Sequence, residues 1–270
     1  FFLMSGFLRR GVCVVTGAGS GIGKGIASMM AKQGGRVAIC DRSLDTALQA
    51  KEEIERGNID GEVIAVEMDV TSESQVQNGY ESICDQFKSK RVDVLIANAG
   101  IQHISPFEDF SLEDWQKMLN VHLNGSFLTA REAVRRMKIE ENNRKGGNII
   151  FMGSVHSKEA SLCKSAYVTA KHGLMGLTRA LAKEGGPDLI RTNLVCPGFV
   201  ETPLVLKQIP EQAEKLKMSE EDIVSKVMLV NTVDKKFTTI EEVARVCCFL
   251  ADSDSCSLTG QSITVSHGWN

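Results

Sequence analysis

The chain has 270 residues, 43% of them hydrophobic and 24% charged, with a formal net charge of −3. Acidic and basic residues are interspersed, which excludes fibrous, disordered and membrane-spanning classes and leaves no basic stripe to follow a nucleic-acid backbone. The eight cysteines contain no CxxC pair, so they are expected to be reduced thiols in a cytoplasmic protein that holds no metal.

At the start, Phe1 to Leu8 are apolar and Arg9-Arg10 follow. This reads either as a tag remnant or as the end of a processed targeting peptide, the second placing the protein in the mitochondrial matrix. It is too short to cross a bilayer. Beyond it, β-branched runs predict strands over 12–16, 36–40, 63–67, 92–97, 148–152, 191–196 and 261–265. Helix-period stretches lie between them over 22–33, 43–56, 73–88, 111–138, 165–184 and 240–251, the last beginning after Thr238-Thr239. Strand and helix in alternation predict an α/β fold: one doubly wound, Rossmann-type parallel sheet of about seven strands, helices on both faces, in a single domain over 1–270. Residues 201–236 break the rhythm, being Glu/Lys-rich and helical in pattern. A helical lid over the substrate is the expectation there.

After the first strand comes Thr16-Gly17-Ala18-Gly19-Ser20-Gly21-Ile22-Gly23, opening a helix. Side chains would keep the backbone away from a pyrophosphate, and a helix N-terminus supplies N–H groups and positive potential, so this is a dinucleotide site rather than a plain tight turn. The glycines at 17, 21 and 23 follow GxxxGxG spacing. Asp41 ends the second strand, where a carboxylate accepts both hydroxyl hydrogen bonds of an adenosine ribose and repels the extra phosphate of NADP. The competing reading is a cap for the helix starting near Ser43. Arg42 follows directly and weakens the exclusion, so NAD is favoured over NADP.

Ser154 ends the fifth strand, and Tyr167-Val168-Thr169-Ala170-Lys171 follows. Tyr and Lys four apart share a helix face, so the ammonium can stand beside the phenol oxygen. At about 4 Å and moderate dielectric that interaction is worth several kcal/mol, enough to bring a phenol of pKa about 10 toward neutrality.

These three motifs, in this order, resemble the classical short-chain dehydrogenase/reductase family, and the resemblance runs from about residue 11 to 269. It implies that Ser154 orients the substrate oxygen, Tyr167 exchanges its proton, and Lys171 lowers the tyrosine pKa and holds the ribose. It adds to the cofactor side Ser20, Ile22, Asp69, Val70, Asn98, Gly100, Pro197, Val200 and Thr202, the last meeting the nicotinamide carboxamide. It also implies a homotetramer. One departure concerns Val121-His122-Leu123-Asn124-Gly125, where the family usually carries Asn in a V-N-L-x-G run. His122 either joins the proton relay in its place or packs as a helix histidine, and Asn124, on another face, does not replace it.

Within the family, Asn98 to His103, Lys164 to Tyr167, Cys196 to Val205 and Lys207-Gln208-Ile209 are similar to the bacterial-type D-3-hydroxybutyrate dehydrogenases, which serve ketone-body metabolism. That resemblance implies a small hydroxy-acid or keto-acid partner, with Gln102, His156, Lys164 and Gln208 around its carboxylate. A small anion needs a cation and neutral donors to fix it. The chain departs again at its end, Ser266-His267-Gly268-Trp269, where aspartate-glycine-glycine-tryptophan is usual. Two other readings are a reductase of 3-oxoacyl thioesters, against which Asp41 and Lys164 argue, and a nicotinamide-sensing protein without turnover, against which the Ser154, Tyr167 and Lys171 set argues.

Overall fold

The computed structural model describes residues 8, 10–142, 144–253 and 256–269. Residues 1–7 and Arg9 lie outside them, and with them the reading of that stretch as a tag or targeting remnant. The strands are β1 Val12–Thr16, β2 Arg36–Asp41, β3 Glu62–Glu67, β4 Val94–Ala97, β5 Gly147–Met152, β6 Ile190–Pro197 and β7 Ser262–Val265. They form one sheet in the order β3-β2-β1-β4-β5-β6-β7, every pair parallel.

The helices are α1 Gly21–Lys32, α2 Leu44–Glu55, α3 Glu73–Phe87, α4 Leu112–Leu119, α5 Gly125–Met137, α6 Ser165–Gly185, α7 Pro203–Leu216, α8 Glu220–Asp222 and α9 Ile240–Asp252. Alternation along the strands divides the core in two. Cys13 and Val15 face Ile26, Ala50 and Cys247 of α1, α2 and α9, whereas Val12 and Val14 face Tyr80, Ala133 and Leu174 of α3, α5 and α6. Both faces of the central strands are therefore covered, which is why these runs are apolar throughout. A third cluster of Val155, Phe199, Ile223, Met228 and Trp269 lies under the stretch from α7 to α8. The strand order reverses between β1 and β4, so a crevice opens at the carboxyl ends of the sheet.

Local chemistry sets the helix starts. Ser43, Ser72 and Ser111 accept the N–H groups of Thr46, Gln75 and Asp114, and Thr239 forms a reciprocal capping box with Glu242. Ser43, and not Asp41, is therefore the cap of α2. Two expectations are corrected. The strand expected from Val92 starts at Val94, and just before it the buried Asp93 carboxylate takes the Val12 N–H at 2.8 Å and pairs with Arg91 at 3.0 Å. The single helix expected over 111–138 is interrupted by a π turn at Asn120–Asn124, where the Gly125 N–H reaches back to the Asn120 carbonyl. Such a turn inserts one residue into the ladder and moves a side chain inward, here His122, which is buried.

Candidate active site

A cleft of about 620 Å³ runs along the carboxyl ends of the strands. Its nucleotide end is built by the turn after β1. Gly17 and Gly21 have φ of +59° and +54°, and a Cβ on Gly17 would lie 2.8 Å from the Ala99 Cα. Only glycine fits there without strain. At the N-terminus of α1, the capping Ser20 makes no side-chain bond to the first turn. Its N–H groups are thus left to an anion from the cleft, which suits a pyrophosphate. Ile22 lines the same wall. Gly23 does not: a Cβ there would lie 2.4 Å from the Gly17 carbonyl and 2.6 Å from Asn98 Nδ2, so its role is to let α1 pack against the turn.

Asp41 accepts the Gly19 N–H at 3.1 Å on one oxygen and the Ser43 N–H at 3.2 Å on the other. Each oxygen keeps a further lone pair for a ribose hydroxyl. Asp69, after β3, binds the Thr71 N–H and hydroxyl, and Val70 packs against Gly125. Asn98 spends its side-chain amide on the Thr16 and Gly17 carbonyls, at 3.0 and 3.1 Å, and so holds the glycine turn in shape. Gly100, Pro197 and Val200 line the cleft, and Thr202 caps α7 by accepting the Val205 N–H.

At the reacting end, burial pushes the Tyr167 phenol pKa up to about 12, with the neighbouring Ser154 hydroxyl pulling the other way. Lys171 departs from expectation. Its ammonium donates to the Met152 carbonyl at 2.6 Å and stands 5.4 Å from the centre of the Tyr167 ring, over the face rather than at the hydroxyl. Burial draws its own pKa down to about 8. In this form burial, and not Lys171, sets the phenol, which stays protonated.

His122 stands edge-on to the Tyr167 ring, with centroids 5.2 Å apart. Nε2 meets the Ile101 backbone, while Nδ1 is buried with no hydrogen-bond partner among the described residues. Burial, with Lys171 nearby, lowers its pKa to about 3, so the ring is neutral at any working pH. Any relay through His122 is therefore that of a neutral imidazole, which donates at one nitrogen and accepts at the other.

The far end holds Lys164, only 2% exposed, and burial lowers its pKa to about 8. Its ammonium stands 4.8 Å over the Phe199 ring and 3.5 Å from Gln208 Oε1, an oxygen that Gln102 Nε2 also approaches at 3.5 Å. No carboxylate pairs with it among the described residues. The expected group of Gln102, Lys164 and Gln208 is brought together. His156, expected with them, is not free for a carboxylate: Nδ1 lies 3.2 Å from Ser154 Oγ and Nε2 2.5 Å from Ser161 Oγ.

Sequence reasoning passed over four contributors: Ser161, the Phe199 ring, the Met152 carbonyl, and Trp269, which stacks on Phe199 at 5.8 Å and meets the His156 edge. A carbonyl leaves no trace in sequence, whereas Phe199 and Trp269 lie in stretches already singled out.

The family model described as short chain dehydrogenase matches residues 11–214. A D-beta-hydroxybutyrate dehydrogenase of Rhizobium meliloti is 38% identical, over 95% of this chain and 97% of that protein. A 3-oxoacyl-acyl-carrier-protein reductase of Thermotoga maritima is 34% identical, over 97% of this chain and 98% of that protein. Among solved structures, a 3-ketoacyl-acyl-carrier-protein reductase from Brucella melitensis complexed with NADH superposes with a TM-score of 0.83 at 26% identity, covering 97% of this chain and 99% of that one.

Proposed function

The chain belongs to the short-chain dehydrogenase family, an oxidoreductase family, and from that premise we propose that it uses NAD to oxidise a small 3-hydroxy acid to the 3-keto acid, D-3-hydroxybutyrate to acetoacetate. The observation that carries this reading is Lys164. An ammonium almost wholly out of water, with the Gln208 amide oxygen and the Phe199 ring face beside it and no carboxylate pairing with it among the described residues, is costly alone and is relieved by an anion. Gln102, whose Nε2 reaches toward the same Gln208 oxygen, adds a donor that fixes a carboxylate's direction. The similarity to the Rhizobium meliloti enzyme points the same way.

The cleft fits a dinucleotide through the glycine turn, the uncapped α1 and the Asp41 carboxylate, and the last of these favours NAD over NADP. When bound, that cofactor takes the hydride and, in its oxidised form, brings a positive charge that draws the phenol pKa down. The remaining work falls to the chain. Ser154 donates to the substrate oxygen and orients it. Tyr167, protonated at Oη in the open cleft, gives its proton to a keto oxygen, and takes one from a hydroxyl once its pKa has been lowered. Lys171 contributes to that lowering by turning its ammonium from the Met152 carbonyl toward Oη. The stretch 201–236, which carries Gln208 on α7, is the lid that completes the carboxylate end. The assembly we propose is a homotetramer, checked by its mass in light scattering.

A second reading, reduction of 3-oxoacyl thioesters, draws on the Thermotoga maritima relative. A thioester gives Lys164 no carboxylate to meet. One experiment separates them. Lys164→Ala is expected to lower kcat/KM for D-3-hydroxybutyrate about 10- to 100-fold, the range for a charge-assisted hydrogen bond, and to leave 2-butanol and an acetoacetyl thioester nearly unaffected. Equal losses on charged and uncharged substrates would overturn the hydroxy-acid reading.

A further inference from the structure

The turn 266–269 is fastened on three sides. The Ser266 hydroxyl donates to the Trp269 carbonyl at 2.6 Å and closes the turn on itself. The Val233 N–H, near the end of the stretch 201–236, donates to the His267 carbonyl at 2.9 Å, and a Cβ on Gly268 would lie 2.8 Å from Val233 Cγ1. On the cleft side, the Trp269 indole N–H donates to Glu159 at 2.7 Å and the buried ring stacks on Phe199. Phe199 in turn carries the Lys164 ammonium over its ring at 4.8 Å.

His267 is the strained member of this turn. Its φ of +52° lies in the left-handed region, next to Gly268 at +79°, where glycine would be free of strain. From that conformation the imidazole reaches carboxylates on two elements. Nδ1 lies 2.9 Å from Asp234 Oδ2, and Nε2 lies 3.7 Å from Glu242 Oε2 in the first turn of α9, an ion-pair rather than a hydrogen-bond distance. Partial desolvation raises the Asp234 carboxyl, but the bond from His267, with that from the Lys236 N–H, outweighs it and holds the group below the usual carboxylate range. An ionised carboxylate only accepts, so the Nδ1 hydrogen points at Asp234. Glu242 also accepts the Thr239 N–H and hydroxyl, which ties the ring to the start of a packed helix. Both carboxylates are part exposed, so the pairs contribute little stability and their effect is on geometry.

Resting on the carboxylate role given to Lys164 above, we propose that His267 is a positioning residue for the acid end of the cleft: its imidazole, set between Asp234 and Glu242, clamps the turn 266–269 so that Trp269 backs Phe199, the ring over which Lys164 holds its ammonium. The path is short. His267 fixes Trp269 two residues on, Trp269 sets the Phe199 plane by stacking at 5.8 Å with 27° between the rings, and Phe199 seats the ammonium. His267 does not line the cleft, so it acts on the acid only through these rings.

The test follows Trp269 and the kinetics separately. The chain has two tryptophans, so Trp115→Phe leaves Trp269 as the only reporter and serves as the parent. In that parent His267→Gly is expected to shift Trp269 emission to the red and open it to acrylamide quenching. KM for D-3-hydroxybutyrate should rise about 3- to 10-fold, the effect of one hydrogen bond, with kcat, KM for NAD and KM for 2-butanol little changed. His267→Asn, which tolerates the left-handed conformation and places an amide N–H where Nδ1 stands, should restore both readouts. In an Asp234→Ala background the His267→Gly change should add little, because the clamp has lost its acceptor. Unmoved Trp269 emission in His267→Gly, a parental KM for the acid, equal losses on the acid and 2-butanol, or full additivity with Asp234→Ala would each overturn the proposal. A wild-type protein that does not turn over the acid would instead overturn the function reading, and Trp269 emission in His267→Gly and His267→Asn would still decide whether the clamp holds the ring.

Discussion

Tyr167 is a half-buried phenol whose pKa is pushed up by burial to about 12 before any ligand enters, with Lys171 over its ring face. Removing the hydroxyl takes away the proton donor and leaves the ring. Tyr167→Phe is therefore expected to lower kcat about 10²- to 10⁴-fold while NAD affinity, measured by fluorescence titration, changes little. Retention of more than about a tenth of kcat would remove Tyr167 from the mechanism. Lys164 gives a pH signature of its own. Its pKa is lowered to about 8, so the ammonium is present below that pH and lost above it. KM for the acid should then rise about tenfold between pH 7 and pH 9, while KM for 2-butanol stays flat. In Lys164→Arg, whose guanidinium stays charged throughout, the rise should vanish. A flat KM for the acid in the wild type would show that the cation does not bind it.

At the scale of the element, Asp41, Ser154 and Tyr167 are presented by a strand end or a helix start. β2 delivers Asp41 beside the Gly19 N–H, and α2 begins with its own cap at Ser43, which leaves the aspartate for the ribose. Asp41→Ala should lower kcat/KM with NAD about 10- to 100-fold and raise the relative use of NADP. Equal use of the two cofactors by the wild type would count against the reading. The π turn at Asn120–Asn124 and the cap at Thr202 act in the same manner. One swings His122 under Tyr167, and the other starts α7 at the point that brings Gln208 over Lys164.

For the whole molecule, the cofactor end and the Lys164 end of the cleft lie on one sheet covered by two core layers. Occupying one end should therefore stabilise everything. NAD at a hundred times its Kd contributes about 2.7 kcal/mol, or roughly 5 to 10 °C in Tm, and calorimetry should show a single transition that moves as a unit. Two transitions, only one of which follows NAD, would mean that the stretch 201–236 and the sheet unfold independently.

The sequence by itself determined the fold class and the order of strands and helices along the chain, and it singled out the glycine turn, Asp41, and the Ser154, Tyr167, Lys171 set as candidates. All of these are written in local patterns: strand runs buried on both faces, glycines where a Cβ has no room, and residues four apart on one helix face. It also picked out Gln102, Lys164 and Gln208 through resemblance. Only the tertiary structure decided what these groups do with their hydrogen bonds. Whether Lys171 stands at the Tyr167 oxygen or at the Met152 carbonyl, whether His156 faces a carboxylate or the two serines, and whether Gly23 lines the cleft or packs behind it all depend on atoms brought together from distant parts of the chain. So do the pKa values. Burial moves Tyr167 up and Lys164 and Lys171 down, and the dielectric around a side chain is set by the whole fold rather than by its neighbours in sequence.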